Sequence, residues 1–264
     1  MKKNAICFHG ISSGSTDKSP NLQVDIAKVF KNIDSNLISL NDCDVYFHTW
    51  GHENISQILS IFEPLDYLVE DQIIFHKNNL LDKLKHIRRK LLFAHDHPNR
   101  KNALKSRWYS FKQSVDLATN HAKKNNFTYN NVFVTRFDLA LNKMVNFNIL
   151  ENQKFYVGNW PRWFDDYGNE INEIDISKGA PFKSTGKKGW PHDNEGLHDF
   201  WFLSNLDIMN EFSKCYEDID ALIDKCGLSS HKIALQKLKD MKEIDNLEFH
   251  LDFVSDYTLA RWRQ

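Results

Sequence analysis

Asn131-Val132-Phe133-Val134-Thr135-Arg136-Phe137-Asp138 is apolar almost throughout and turns polar only at its end. A strand without polar alternation is buried on both faces, which predicts a central strand in a mostly parallel sheet covered by helices on each side. Before it, Leu104, Trp108, Phe111, Val115, Ala118 and Ala122 step by four and three, the seam of a long helix. Lys124-Asn125-Asn126 supplies the turn between them. Farther toward the N-terminus, Asn4–His9 and Cys43–Thr49 read as strands. Ile55, Ile58, Leu59 and Phe62 mark a helix ending by Pro64, and Leu65–Val69 a third strand. A helix starting near Ser19-Pro20 places Leu22, Ile26, Val29 and Ile33 on one face.

Beyond the central strand, Phe155–Gly158 and His198–Leu203 are predicted strands, and Asp207–Tyr216 and Ser230–Met241 predicted helices. Leu247–Arg263 is strand-like at first. Between them, residues 168–196 hold five glycines and two prolines without periodicity, a long loop insert. Alternating strands and helices make an α/β chain with a partly helical C-terminal region.

Composition removes several classes of function. The 264 residues are 41% hydrophobic and 26% charged with a net charge of −1, as in a globular protein, and carry no cationic surplus for nucleic acid. No apolar run approaches a membrane span or signal peptide, so a cytoplasmic protein is expected. Cys7, Cys43, Cys215 and Cys226 form no CxxC pair, which disfavours a disulfide framework and structural zinc. One stretch departs from neutrality: residues 77–112 carry eleven Lys or Arg against Asp82 and Asp96. Leu80, Leu84, Ile87 and Leu91 give part of it a basic amphipathic helix near 80–92, either a solvated face or a peripheral membrane contact.

Ligands of open α/β sheets bind at the carboxyl ends of strands, and those ends are polar here. Gly10, Ser12, Ser13 and Gly14 follow the first strand, where backbone amides can meet a phosphate. Thr49-Trp50-Gly51-His52 follows the second. Arg136 and Asp138 end the central strand, either as a structural ion pair or as a carboxylate for a divalent cation with an arginine for the same diphosphate. His192, Asp193, Glu195, His198 and Asp199 form a second constellation, without the one-turn spacing of a histidine metal site. A carboxylate general base is the preferred reading there. Trp160, Trp163, Phe164 and Tyr167 could stack on sugar rings or on one another.

Taken in order, Cys7-Phe8-His9-Gly10-Ile11-Ser12, Asp44-Val45-Tyr46-Phe47-His48-Thr49-Trp50, Arg107-Trp108-Tyr109-Ser110 with Ser114, Val134-Thr135-Arg136-Phe137-Asp138-Leu139 and His198-Asp199-Phe200-Trp201-Phe202-Leu203-Ser204 resemble GT-A type glycosyltransferases of the viral and bacterial polysaccharide kind. The resemblance spans residues 4–204. It implies a single GT-A-like domain, with about 1–140 binding a nucleoside diphosphate sugar and about 141–264 a glycan-type acceptor. It further implies that Gly10, Ser12, Ser13, Thr49, Trp50, Arg107, Tyr109, Ser110, Arg136 and Asp138 receive the donor. Asp138 would take the last position of a DxD metal motif for Mn or Mg. Arg136 stands at the first acidic position of that motif, which departs from the family. Asp199, then Asp193, are the expected bases, and Trp160, Trp163, Tyr167 and His198 the acceptor contacts. Two other readings remain: a metal-dependent phosphohydrolase using Asp138, His192, Asp193, His198 and Asp199, and a non-catalytic nucleotide- or carbohydrate-binding protein.

Overall fold

The computed structural model describes residues 3–12, 25–51, 55–76, 84, 87, 100–159, 196–253 and 255–260. Its strands are β1 (Asn4–Gly10), β2 (Cys43–Trp50), β3 (Asp66–Glu70), β4 (Asn131–Arg136), β5 (Leu139–Leu141), β6 (Phe155–Asn159), β7 (His198–Ser204), β8 (Leu247–Asp252) and β9 (Tyr257–Leu259). Its principal helices are α1 (Ile26–Ile33), α2 (Ile55–Phe62), α3 (Arg100–Lys124), α4 (Leu206–Ser213), α5 (Ile219–Cys226) and α6 (Ser230–Asp240). A π-helical stretch, Asp34–Ile38, carries α1 onward toward β2.

Seven strands form one sheet in the order β3-β2-β1-β4-β7-β6-β8, and β5 and β9 pair antiparallel in a second. β4 stands at the centre of the large sheet, as its apolar run predicts, with Val132, Phe133, Val134 and Thr135 fully buried. The pairings among β1, β2, β3 and β4 are parallel. β7 is antiparallel to both neighbours, and β8 runs parallel to β6. The α/β class with a mostly parallel, helix-flanked sheet is therefore observed.

Strand periodicity divides the core in two. Ala5 and Cys7 of β1, Tyr46 of β2 and Val132 and Val134 of β4 meet the seam of α3 together with α4, α5 and α6. Ile6, Phe8, Val45, Phe47 and Phe133 point the other way, onto α1, α2 and the β5 region. Every residue of the α3 seam, Leu104 through Ala122, is buried. At about 25 cal/mol per Å² of apolar surface removed from water, these two layers are the main source of stability.

Some boundaries differ from expectation. α1 begins after Asp25, whose side chain accepts from the Lys28 N–H as an N-cap, so it does not start at Ser19-Pro20. The helix expected over Asp207–Tyr216 closes at Ser213. α5, β5 and β9 were not anticipated. Of the basic helix near 80–92, only Leu84 and Ile87 are among the described residues, helical and exposed. Most of the 168–196 insert lies outside them.

This topology positions the site. β1 has β2 on one side and β4 on the other, so the strand order reverses there, and the carboxyl ends of these strands are where open α/β sheets take their ligands. Gly10 ends β1 with φ +102°, a left-handed turn that a side chain would strain although nothing crowds the position. Because β7 is reversed, its first residues, His198 and Asp199, arrive at the edge that β4 reaches with its last.

Candidate functional site

Two polar networks lie at these strand ends. The first begins at the end of β1, where the Gly10 N–H donates to Ser110 Oγ (2.7 Å), a residue of α3. Ser110 lies 2.7 Å from His48 Nδ1 on β2, and His48 Nε2 lies 2.9 Å from Glu70 Oε2 at the end of β3. An ionised carboxylate only accepts, so Nε2 carries the proton, and a neutral ring then accepts the Ser110 hydroxyl proton at Nδ1. Burial keeps the ring neutral, lowering the His48 pKa against the opposing pull of Glu70. Tyr109 OH also donates to Glu70 Oε2 (2.9 Å). The Tyr109 ring stacks on Trp50 at 5.5 Å and meets Phe75 and Tyr216 at 5.1 Å each. Thr49 Oγ1 donates to Ser12 Oγ (2.8 Å), tying the β1 loop to β2.

Gly10, Ser12, Thr49, Trp50, Tyr109 and Ser110 thus come together, at different depths. Ser12, Thr49, Trp50 and Ser110 are buried. Gly10, Glu70, Phe75, Tyr109 and Tyr216 are half-buried and form the accessible wall.

The second network carries the charge. Arg136 Nη2 binds Asp138 Oδ2 at 2.6 Å, and its guanidinium lies 5.3 Å from the Phe200 ring centroid, a cation–π contact. Arg107, from α3, binds Asp199 Oδ2 through Nη1 at 2.7 Å and the Asp199 carbonyl through Nη2. His231 Nδ1 lies 3.2 Å from Asp199 Oδ1. Burial alone would raise the Asp199 pKa, but Arg107 and His231 outweigh it and hold the carboxyl well below the usual carboxylate range. His9, 4% exposed, is held neutral by burial and by the charges of Arg107 and Arg136.

Two expectations change here. Asp199 is 1% exposed and ion-paired, so it lacks both the access and the basicity of a general base. His198 is 2% exposed, bonded through Nδ1 to Tyr257 OH and ringed by Phe200 and Phe253, so it does not present itself to an acceptor. Burial lowers its pKa to about 3. Ser13, Asp193, Trp160, Trp163 and Tyr167 lie outside the described residues.

The expected cation does not fit what is seen around Asp138. Mg or Mn needs about six oxygen ligands, whereas Asp138 Oδ2 already holds a guanidinium. No three His, Cys, Asp or Glu converge as metal ligands among the described residues. His48, Glu70, His9 and His231 are the participants that sequence reasoning missed. Glu70 was within reach of the same rule, since it is the last residue of the third strand.

No protein-family model matches the chain, and no curated protein matches it. Among solved structures it is similar to a crystal structure from Desulfovibrio desulfuricans provisionally described as a nucleotide-diphospho-sugar transferase. The two are 9% identical with a TM-score of 0.41, over 96% of this chain and 81% of that one. Among the described residues no helix is long and apolar enough to cross a membrane.

Proposed function

We propose that the chain is a glycosyltransferase moving a sugar from a nucleoside diphosphate sugar to an acceptor hydroxyl on a glycan, a lipid-linked glycan or a protein. The observation that carries this reading is a topological switch point whose strand ends bear two chemically distinct networks. At one end aromatic rings surround Glu70, a fixed acceptor-only carboxylate suited to the donor groups of a nucleoside. At the other stand the guanidiniums of Arg107 and Arg136, suited to an anion.

In the reaction the bond from the anomeric carbon to the β-phosphate oxygen breaks, and its electron pair stays on that oxygen. The acceptor oxygen bonds the anomeric carbon and loses its proton. Positive groups fixed in advance at the leaving oxygen contribute most, and losing one such donor typically slows turnover about 10²–10³-fold. Asp199 serves in this scheme as a positioning residue that orients Arg107. Asp193 takes over as the candidate base of an inverting transfer, and Trp160, Trp163 and Tyr167 remain the proposed acceptor platform. Residues of about 1–140 supply the donor pocket, and those of about 141–264 the acceptor side.

The phosphohydrolase reading has less support, because among the described residues no three His, Cys, Asp or Glu converge as metal ligands, and Asp138 and Asp199 are ion-paired to Arg136 and Arg107. A thermal-shift panel of UDP-, GDP-, dTDP- and CMP-sugars tests the proposal. A ligand at 100 times its Kd stabilises by about 2.7 kcal/mol. A shift with one nucleotide class is expected, and no shift with any would refute the reading.

A further inference from the structure

We infer that the donor diphosphate is held directly by the guanidiniums of Arg136 and Arg107, without a bridging divalent cation. The inference rests on the glycosyltransferase reading above and assigns the charge chemistry of that same site.

The layering of the two ion pairs is the first argument. The Arg136 side chain is 20% exposed above an Asp138 that is 9% exposed, and Arg107 is 24% exposed above an Asp199 at 1%. In both, the carboxylate is the more deeply buried partner and the arginine side chain the more exposed one. A cation site needs the reverse order, with oxygens outermost. A dication approaching Asp138 would have to sit beside the positive charge of Arg136, which already holds Oδ2. Desolvation and like-charge repulsion make that costly.

Unused donor capacity is the second. A guanidinium carries five N–H groups in a planar fork that matches phosphate oxygens two at a time. Among the described residues Arg136 bonds one side-chain partner, Asp138, through Nη2. The Phe200 ring beneath it restrains the plane, so the remaining donors stay oriented. Repulsion is the third argument. Burial first, and then the nearby charge of Arg136, raise the cost of the Arg107 charge, and both arginines bear on His9. An anion between them relieves that repulsion, whereas a cation adds to it. When the glycosidic bond breaks, the electron pair left on the β-phosphate oxygen meets these N–H donors.

Isothermal titration of UDP, GDP, dTDP and CDP into the full chain, once with EDTA and once with manganese, tests this. The nucleotide that binds is expected to show Kd values agreeing within about threefold in the two buffers, a difference below about 0.65 kcal/mol. Arg136→Gln combined with Asp138→Asn, which leaves no uncompensated carboxylate, is expected to weaken binding in EDTA at least about tenfold. Binding that requires manganese overturns the inference and leaves the glycosyltransferase reading standing. Wild-type affinity of the double variant in EDTA overturns it as well. Failure of all four nucleotides in both buffers overturns that reading and this inference together.

Discussion

Asp199 shows how one side chain changes its task once its neighbours are known. In sequence it is an acid at the start of a strand, a candidate base whose conversion to Asn would leave the fold intact. In the molecule it is buried and neutralises Arg107 at 2.7 Å. Removing one partner of a buried pair strands the other charge and costs about 3–5 kcal/mol. Asp199→Asn is therefore expected to lower the melting temperature by several degrees, measured by circular dichroism, and an unchanged midpoint would return it to candidacy as a base. Arg136 and Asp138 were legible as a pair from their spacing. That the arginine is the more exposed partner was not, because relative depth depends on strands brought in from elsewhere in the chain. His48 lay inside a stretch already singled out, yet its role needs Ser110 and Glu70, which reach it from a helix and another strand.

Among the elements, β4 and α3 were the most legible, since an unbroken apolar run and a four-three seam each admit one arrangement. α5 escaped notice although Ile219, Leu222, Ile223 and Cys226 fall at helical spacing and are all buried. A two-turn helix offers too few repeats to stand out against short-range noise. β5 and β9 are three residues each and exist only because they pair with each other. The packing of β6 provides a test. A Cβ on Gly158 would lie 1.9 Å from Tyr257 Oη, the hydroxyl that bonds His198. Gly158→Ala is expected to cost about 1–3 kcal/mol by denaturant titration, as overpacked cores do. Tyr257→Phe in the same chain should recover part of that loss, and strictly additive effects would show that the two sites do not meet.

For the whole molecule, buried histidines set an acid limit. His9, His48 and His198 all have folded pKa values lowered by burial, His198 to about 3 against an ordinary 6.5. Between those values the unfolded chain binds more protons, so stability falls as pH drops below about 6.5 and is unaffected by these groups above it. The melting temperature is expected to be lower at about pH 5 than at about pH 7.5, and His198→Gln should shrink the difference. Equal midpoints at the two pH values would show that these rings reach solvent. The reversal of β7 bears finally on the order in which the protein can be made. Arg107 precedes Asp199 by 92 positions, and β4 cannot pair with β7 until the intervening chain has been synthesised. A nascent chain that stops short of β7 holds Arg107 without the Asp199 carboxylate and leaves one edge of β4 open. Such a fragment has little to hold it in place, so folding is expected late and all at once rather than half by half.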